Sequence, residues 1–538
     1  MADYARLRTP FLNMSFTPDV PSNALGANEY NNGLNVEADV RGIKKISGEE
    51  AILSQIPGSP VFLDGGFRGT VWTYIVATNA GKWYAVTASG ITNITPGVGA
   101  NPNVALSGYS DDVNITTSWV GSVFFINDAL RPPMYFVPTA TEIYLYGAAP
   151  DNYVWNYESN VSAVRAEFVR NFCSPNVGNI LIAGNLTKDY ISSGTTVNYP
   201  TTVRWSQAFA NTGVPATWTP TLTNIANEQE IPLRGPIVDG FFLGGCFYVC
   251  SYWDTVVFSP IAYQNSTAPI FGVRLFNQGR GLINNNCWSN TDANVYGVDS
   301  RDIWIFDGSN FNPLGNQKVR DYFFRNLSTT YSDRLFMVNN TQKNQIEIYY
   351  PDLNSTGWCN KMLSWRYDLQ VWNAPKDVAN ACNACEAPKY VSGAFKYASR
   401  TVSYLTGGVT SQKIIQTGIG NSFINGASIP ALFQRDNIVL QTEKGPVPYS
   451  SKVYTHRLLP EVSGSGTMNI TVGGANSTAQ TPTYGQTGVV SIATDTPWVT
   501  TQQNNVRTIS IKVESNDATD AWNLTALNWQ ATVVEDAF

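Results

Sequence analysis

Apolar and polar residues alternate with a period of two along most of this chain. The runs are short and are broken by Gly, Asn, Asp and Ser. Val71-Trp72-Thr73-Tyr74-Ile75-Val76-Ala77, then Asn79-Ala80-Gly81, then Trp83-Tyr84-Ala85-Val86 shows the pattern as strand, turn, strand. One phrase occurs twice. Trp304-Ile305-Phe306-Asp307-Gly308-Ser309-Asn310-Phe311-Asn312-Pro313 returns as Trp365-Arg366-Tyr367-Asp368-Leu369-Gln370-Val371-Trp372-Asn373-Ala374-Pro375. Aligned on the aspartate, each copy has aromatics three and one residues before it and another four residues after. Alternation before the aspartate predicts a strand, and the Asp-centred break predicts a hairpin turn. Trp83 to Val86, followed by Ser89-Gly90-Ile91, is a fainter third copy. Hairpins that recur in an all-strand sequence predict radial or stacked β repeats.

Units of this kind begin near residue 69 and recur near 114–138, 165–220, 233–279, 280–330, 331–380 and 388–418. Spacings of about 40–50 residues suit propeller blades with loop insertions. The fold expected is all-β: a β-propeller of six to eight blades, best counted as seven, over residues 66–424. Before it, residues 1–65 read as an extended lead-in with two short strands around Arg41-Gly42. After it, Val453 to Leu458, Met468 to Val472, Ile509 to Val513 and Leu524 to Leu527 alternate without the hairpin phrase. Residues 425–538 therefore read as an appended β-sandwich, about 110 residues and so of normal size for one. A rival arrangement has part of this tail closing the propeller onto its first blade.

Composition supports the strand reading. Of the 538 residues, 14% are charged and 12% aromatic. Ordinary soluble proteins carry about 25% charge. Asn, Thr, Ser and Gly replace the missing charge, a mixture that favours strands and turns over long surface helices. Few Lys and Glu also suggest that much of the surface meets other protein. The net charge of −6 disfavours electrostatic capture of nucleic acid, which depends on Lys and Arg neutralising phosphates. No run of about 18 apolar residues predicts a membrane span. The N-terminal residues lack the apolar stretch of a secretory signal.

Candidate chemistry is sparse. The seven cysteines have no framework spacing. Cys382-Asn383-Ala384-Cys385 is a lone CxxC, and a structural zinc site would need two more ligands. Cys246 and Cys250, four apart, read as small core residues on one side of a strand. The single histidine, His456, lies in a strand-like stretch away from any nucleophile motif. Asp299, Asp302, Asp307, Glu347 and Asp352 are acids of the type glycosidase propellers use. Asp307 and Asp368, however, occupy matching places in two repeats, and a catalytic residue occurs once per site. The residues singled out are therefore structural: Trp304, Phe306, Asp307 and Phe311 in one copy, and Trp365, Tyr367, Asp368 and Trp372 in the other. No catalytic, metal or cofactor residue is assigned, and no enzyme activity is expected.

Four segments together resemble a known family. Asn23-Ala24-Leu25-Gly26 to Asn35-Val36, and Arg41-Gly42-Ile43-Lys44-Lys45-Ile46-Ser47-Gly48, resemble the N-terminal entry of tail tube or nozzle proteins of short-tailed, podovirus-type bacteriophages. Val203-Arg204-Trp205-Ser206 and Gly235-Pro236-Ile237 resemble their central blades. Asp302 to Gly308 with Arg320-Asp321-Tyr322-Phe323-Phe324 resembles the blade that follows. The match spans about residues 20–420 and rests on the order of motifs. The resemblance implies a propeller with extra β domains, assembled as a ring, expected hexameric, below a portal and adaptor protein. Tail-tip or fibre proteins would adjoin it, and genomic DNA would leave through its lumen without tight binding. It implies a virion protein assembled in the host bacterial cytoplasm. The competing expectation is a carbohydrate-active or receptor-binding propeller on the phage tail.

Overall fold

A computed structural model describes residues 5–97, 108–110, 113–147, 153–261, 270–438, 440–442, 445–446, 450–477, 480–492 and 498–535. Among the described residues, seven antiparallel blades follow one another along the chain, each an up-and-down meander. Blade 1 is Pro60–Arg68, Val71–Thr78, Trp83–Thr87 and Gly90–Asn93; blade 2 starts at Thr116–Val120 and ends at Tyr144–Leu145. Blade 3 runs from Val161–Ser174 to Asn227–Glu230, and blade 4 from Ile237–Leu243 to Phe271–Gln278. Blade 5 is Trp288–Asn290, Val295–Val298, Ile303–Phe306 and Phe311–Pro313; blade 6 is Phe336–Asn340, Gln345–Tyr350, Cys359–Arg366 and Val371–Trp372. Blade 7 takes Lys376–Val391, Ala394–Thr406 and Ile414–Thr417 from the chain in order. Its outer strand is Glu49–Ile52, paired antiparallel from Ile414↔Ile52 to Thr417↔Glu49. The N-terminal segment, rather than the C-terminal tail, thus closes the ring. Closure leaves no open gap between first and last blades, the usual solution to the edge problem in this architecture.

The region expected to be a lead-in has no separate existence. Ala5–Pro10 pairs with Ala521–Glu535, and Gly42–Lys45 adds to that same strand, with Val36–Asp39 beyond it. Asn32–Leu34 pairs with Ala431–Ile438. The C-terminal sandwich therefore consists of two sheets, each completed by N-terminal strands. One has the order 499–506, 451–465, 521–535, 42–45, 36–39; the other 32–34, 431–438, 508–515, 467–475, 483–491. The two strands expected around Arg41-Gly42 are present but serve the sandwich. Its core is continuous with that of blades 4, 5 and 6. Phe433, Ile511, Leu527 and Trp529 belong to one buried cluster with Phe241, Trp304, Phe306 and Trp372. A chain that threads sandwich, propeller and sandwich again ties both bodies together at both ends.

The repeated phrase is where expected, as third and fourth strands of blades 5 and 6, and its faint copy holds the same place in blade 1. Its two copies differ in register by one residue. In blade 5 the hairpin pairs Phe306↔Phe311 and Ile305↔Asn312, around a turn of Asp307 to Asn310. In blade 6 it pairs Arg366↔Val371 and Trp365↔Trp372, around Tyr367 to Gln370. Asp307 is thus the first turn residue and Asp368 the second, so the two are not equivalent. Strand side chains have period two, and a slip of one exchanges the faces. Trp304 is completely buried, whereas Trp365 occupies the place of Ile305 and is only half-buried. The fully buried tryptophan of the second copy is Trp372, whose ring lies 5.2 Å from that of Trp365.

A charge cluster pins the sandwich to blade 6. Glu37, buried on Val36–Asp39, accepts from Lys343 Nζ at 2.9 Å and lies 3.4 Å from Lys44 Nζ. Burial alone would raise its carboxyl pKa, but Lys343 and Lys44 outweigh burial and bring it from 4.5 to about 2. A depressed carboxyl contributes stability that is complete above its unfolded pKa and is lost as pH falls through the folded one. Acid unfolding should therefore steepen between pH 4.5 and about 2. Glu37→Gln should be less stable than the parent at neutral pH and show a flatter slope in that window, read by thermal melts at stepped pH. An unchanged slope would mean the junction carries no such linkage.

Candidate functional site: the axial channel

The innermost strands of all seven blades converge on one axis, and their side chains decide what that axis can do. Asp64, Thr117, Arg170, Trp288, Met337 and Asn383, from six of them, line a space of about 200 Å³. Asp239 supplies the seventh. Arg170 is the hub. It donates from Nε to Asp239 Oδ1 at 2.9 Å and from Nη2 to Asp239 Oδ2 at 2.6 Å. It also donates from Nη2 to Asn286 Oδ1 at 2.8 Å and from Nη1 to the Thr117 carbonyl at 2.9 Å. Its guanidinium lies 5.3 Å from the Trp288 ring centre, and Trp288 Nε1 donates to Asp239 Oδ2 at 2.8 Å. The neighbouring blades 2, 3, 4 and 5 are thereby joined around the axis by one bidentate, charge-assisted network, the strong class of hydrogen bond.

The remaining acids of the channel are also engaged. Asp64 accepts the Thr117 hydroxyl at 2.6 Å and the Gly65 amide at 2.7 Å. Burial raises its pKa, against the pull of those donors and of Arg170. Glu167 lies on the same inner strand as Arg170, three residues before it. It accepts from Asn114 and Asn285, and burial raises its pKa too. Asn286 holds a left-handed φ of 62°, a conformation asparagine tolerates, and gives its backbone amide to Asp239. Every oxygen of Asp64 and Asp239 thus has a donor from the protein. The arrangement staples neighbouring blades to one another beside the axial space, and both carboxylates are saturated with protein donors.

Sequence reasoning did not single out these residues, although a signal exists. Val61-Phe62-Leu63-Asp64-Gly65 and Ile237-Val238-Asp239-Gly240 each interrupt an apolar run with Asp-Gly on an innermost strand. In both, the aspartate accepts the amide of the next residue. In both, the glycine admits an aromatic ring of the second strand. A Cβ would meet Trp72 or Phe247 at 2.7 Å. A charge inside an apolar strand demands a buried partner, and Arg170 in Phe168-Val169-Arg170-Asn171-Phe172 is one.

The acids considered from sequence are dispersed. Asp299 takes Arg280 and the amides of Arg301 and Asp302. Asp307 caps its turn by accepting the amides of Ser309 and Asn310 at 2.8 and 2.7 Å. Asp368 instead pairs with Arg366 at 2.9 Å and takes the Leu369 amide. Buried Glu347 accepts from Asn340, Gln345 and Tyr349, and Asp352 caps a loop through Asn354 and Asn360. Phe311 lies half-buried and stacked on Phe306 at 4.3 Å, while Tyr367 is half-buried in its turn. Cys382 and Cys385 are buried in blade 7, where burial pushes the Cys382 thiol up to about 12, against the deprotonation a metal ligand needs. Cys250 is buried and Cys246 half-buried in blade 4. His456 sits on a sandwich strand with Nε2 2.8 Å from Thr532 Oγ1 and its ring 4.3 Å from that of Tyr454. Among the described residues, no group of three or more His, Cys, Asp or Glu is placed to hold a metal ion. No described helix is long and apolar enough to cross a membrane.

No protein-family model matches the chain, and no curated protein sequence matches it. Among solved structures, it is similar to YCF48 bound to a D1 peptide, with TM-score 0.35 and 11% identity, over 70% of this chain and 98% of that one. It is similar also to BBS1N in complex with ARL6DN, with TM-score 0.34 and 6% identity, over 70% of this chain and 95% of that one.

Proposed function

We propose that this chain is a structural subunit of a short-tailed bacteriophage tail, a nozzle or tube protein that forms a ring, expected hexameric, for DNA exit. The order of sequence motifs that resembles that family supports it. The observation that carries it further is how narrow the axial space is. Arg170, Asp239, Asn286 and Trp288 bind neighbouring blades to one another beside an axial space of only about 200 Å³. A duplex whose major groove alone is about 12 Å wide has no path there. The propeller is then a rigid wedge, and a DNA conduit is the space enclosed by several wedges. Cyclic assembly needs head-to-tail interfaces between such bodies. A portal-adaptor protein above and tail-tip or fibre proteins below are the partners of this reading. The interleaved sandwich resists being pulled from the propeller because both chain ends cross between them.

The lumen of such a ring must let a polyanion slide. Each phosphate neutralised by Lys or Arg adds salt-dependent retention, and a net charge of −6 keeps such pairs few. The purified protein should therefore bind double-stranded DNA weakly or not at all at physiological salt, read by fluorescence anisotropy. Negative-stain images should show closed rings with a central hole, alone or with the adaptor. Tight duplex binding by the free chain, or a monomer placed on a peripheral fibre of the particle, would refute this reading. So would cleavage of bacterial polysaccharide in a zymogram.

A further inference from the structure

A second concavity lies at the rim between blades 4 and 5, away from the axis, and its chemistry is the opposite. It encloses about 370 Å³ and is lined by Arg280, Arg301, Arg320, Asn277, Gln278 and Phe311, with Gly279 and Asp302. We propose that this groove is a binding site for a phosphate group, with Arg301 and Arg320 as its ligands.

Three segments build it. Phe271–Gln278, the outer strand of blade 4, delivers Asn277 and Gln278 at its end. The Val298–Ile303 turn of blade 5 delivers Arg301, and the helix Arg320–Asn326 begins with Arg320. Each guanidinium is held by one edge only. Arg301 donates through Nη2 to the Gly279 carbonyl, and Arg320 donates through Nε to the Arg301 carbonyl at 2.7 Å. Arg301 Nε and Nη1, and both terminal nitrogens of Arg320, have no partner among the described residues. The side-chain amides of Asn277 and Gln278 have none either. Two guanidiniums tethered by backbone carbonyls have already lost much of their rotamer freedom, and their planar forks suit bidentate contact with phosphate.

Local charge favours an anion. Arg280 is the groove's third guanidinium and the one within ion-pair distance of carboxylates, at 2.9 Å from Asp299 and 3.6 Å from Asp302, while Arg320 acts on Asp302 only at longer range. Asp302 also accepts the amide of Ile303 at 2.8 Å. Within the groove lining and its ion pairs three arginines face two aspartates, with Asp19 and Asp321 set behind at the helix end, so the donors turned toward the groove belong to Arg301 and Arg320. The backbone is shaped to allow the convergence. Gly279 has φ of 113°, and a Cβ there would meet Arg301 Nη2 at 3.0 Å. At Gly315 a Cβ would meet Asp302 Oδ1 at 3.2 Å and Arg320 Cβ at 3.5 Å. Both glycines keep open the room the arginines use. The adjoining helix end is not part of the site, because Asp19 already accepts the amides of Asp321 and Tyr322 at 2.8 Å each.

The site takes one tetrahedral oxyanion, whether free phosphate or one phosphodiester of a nucleic-acid backbone. One such contact per subunit adds little to duplex affinity, so the inference stands or falls independently of the ring. Inorganic phosphate titrated into the full chain by calorimetry, at ionic strength held constant with chloride, should saturate. Arg301→Ala with Arg320→Ala should weaken binding by at least about tenfold. Arg320→Lys, which keeps charge and loses the fork, should fall between. Arg400→Ala, an exposed arginine on blade 7 paired with Glu386, should bind as the parent does. A short duplex that displaces phosphate identifies the phosphodiester as the source, and one that does not identifies free phosphate. Non-saturating heats from the parent, or equal binding by parent and double variant with unchanged circular dichroism, would overturn the proposal.

Discussion

Trp304→Ala should lower the unfolding free energy by about 3–5 kcal/mol, the cost of emptying a fully enclosed large aromatic site. Trp304 is completely buried in blade 5. Its ring packs edge-on against Phe311 at 4.9 Å and lies 6.1 Å from Phe241 of blade 4, and its Nε1 donates to the Gly281 carbonyl at 3.1 Å. A Cβ at Gly297, its partner across the hairpin, would meet the ring at 2.3 Å, so neighbouring backbone has been cleared to seat it. Truncation leaves that clearance empty and the Gly281 carbonyl without its donor. Trp365→Ala should cost less, about 1–2 kcal/mol, because that ring is half-exposed and loses mainly its contact with Trp372. Denaturant melts of the two variants decide the matter. Equal losses would mean that the one-residue slip between the hairpins is wrong. A parent-like Trp304→Ala would mean that the ring is exposed.

Lys376→Ala should be as damaging, by about 3–5 kcal/mol, through a different mechanism. Lys376 Nζ lies 2.9 Å from Glu49 Oε1, with both side chains buried. Glu49 begins the strand that closes the propeller, and its other oxygen accepts the Tyr404 hydroxyl of blade 7 at 2.7 Å. Removing the ammonium leaves a carboxylate stranded in the core at the seam of the ring. The test is a double-mutant cycle. Adding Glu49→Gln to Lys376→Ala should recover much of the loss, because the amide keeps a polar contact to Tyr404 without a buried charge. If the double variant is no better than Lys376→Ala alone, the pair does not hold the closure. Limited proteolysis gives a second reading: in Lys376→Ala, cleavage around residues 46–56 should precede global unfolding.

Much of the architecture was legible in the chain itself. Period-two alternation, Gly/Asn/Asp breaks and the twice-used hairpin phrase placed seven units close to the seven blades observed, and placed the tail in a sandwich. These signals are local. A strand's faces are set by its own alternation, and a turn by the few residues that make it. The remaining features depend on partners far apart in sequence. Glu49–Ile52 closes blade 7 across more than three hundred residues, and Ala5–Pro10 lies along the final strand. Neither carries a mark of its destination, since any exposed edge of matching polarity offers the same hydrogen bonds. The register of the second hairpin was equally hidden. Aspartates in aligned sequences suggest aligned turns, yet pairing put Trp372, not Trp365, into the core. Arg170, Asp239 and Asn286 come from three blades, and only ring closure aims them at one axis. The repeating strand-turn unit could be read from the residues alone, because that unit is held by neighbours in the chain. The closed ring, the shared sandwich and the network around the axis were decided by contacts that exist only once every blade is in place.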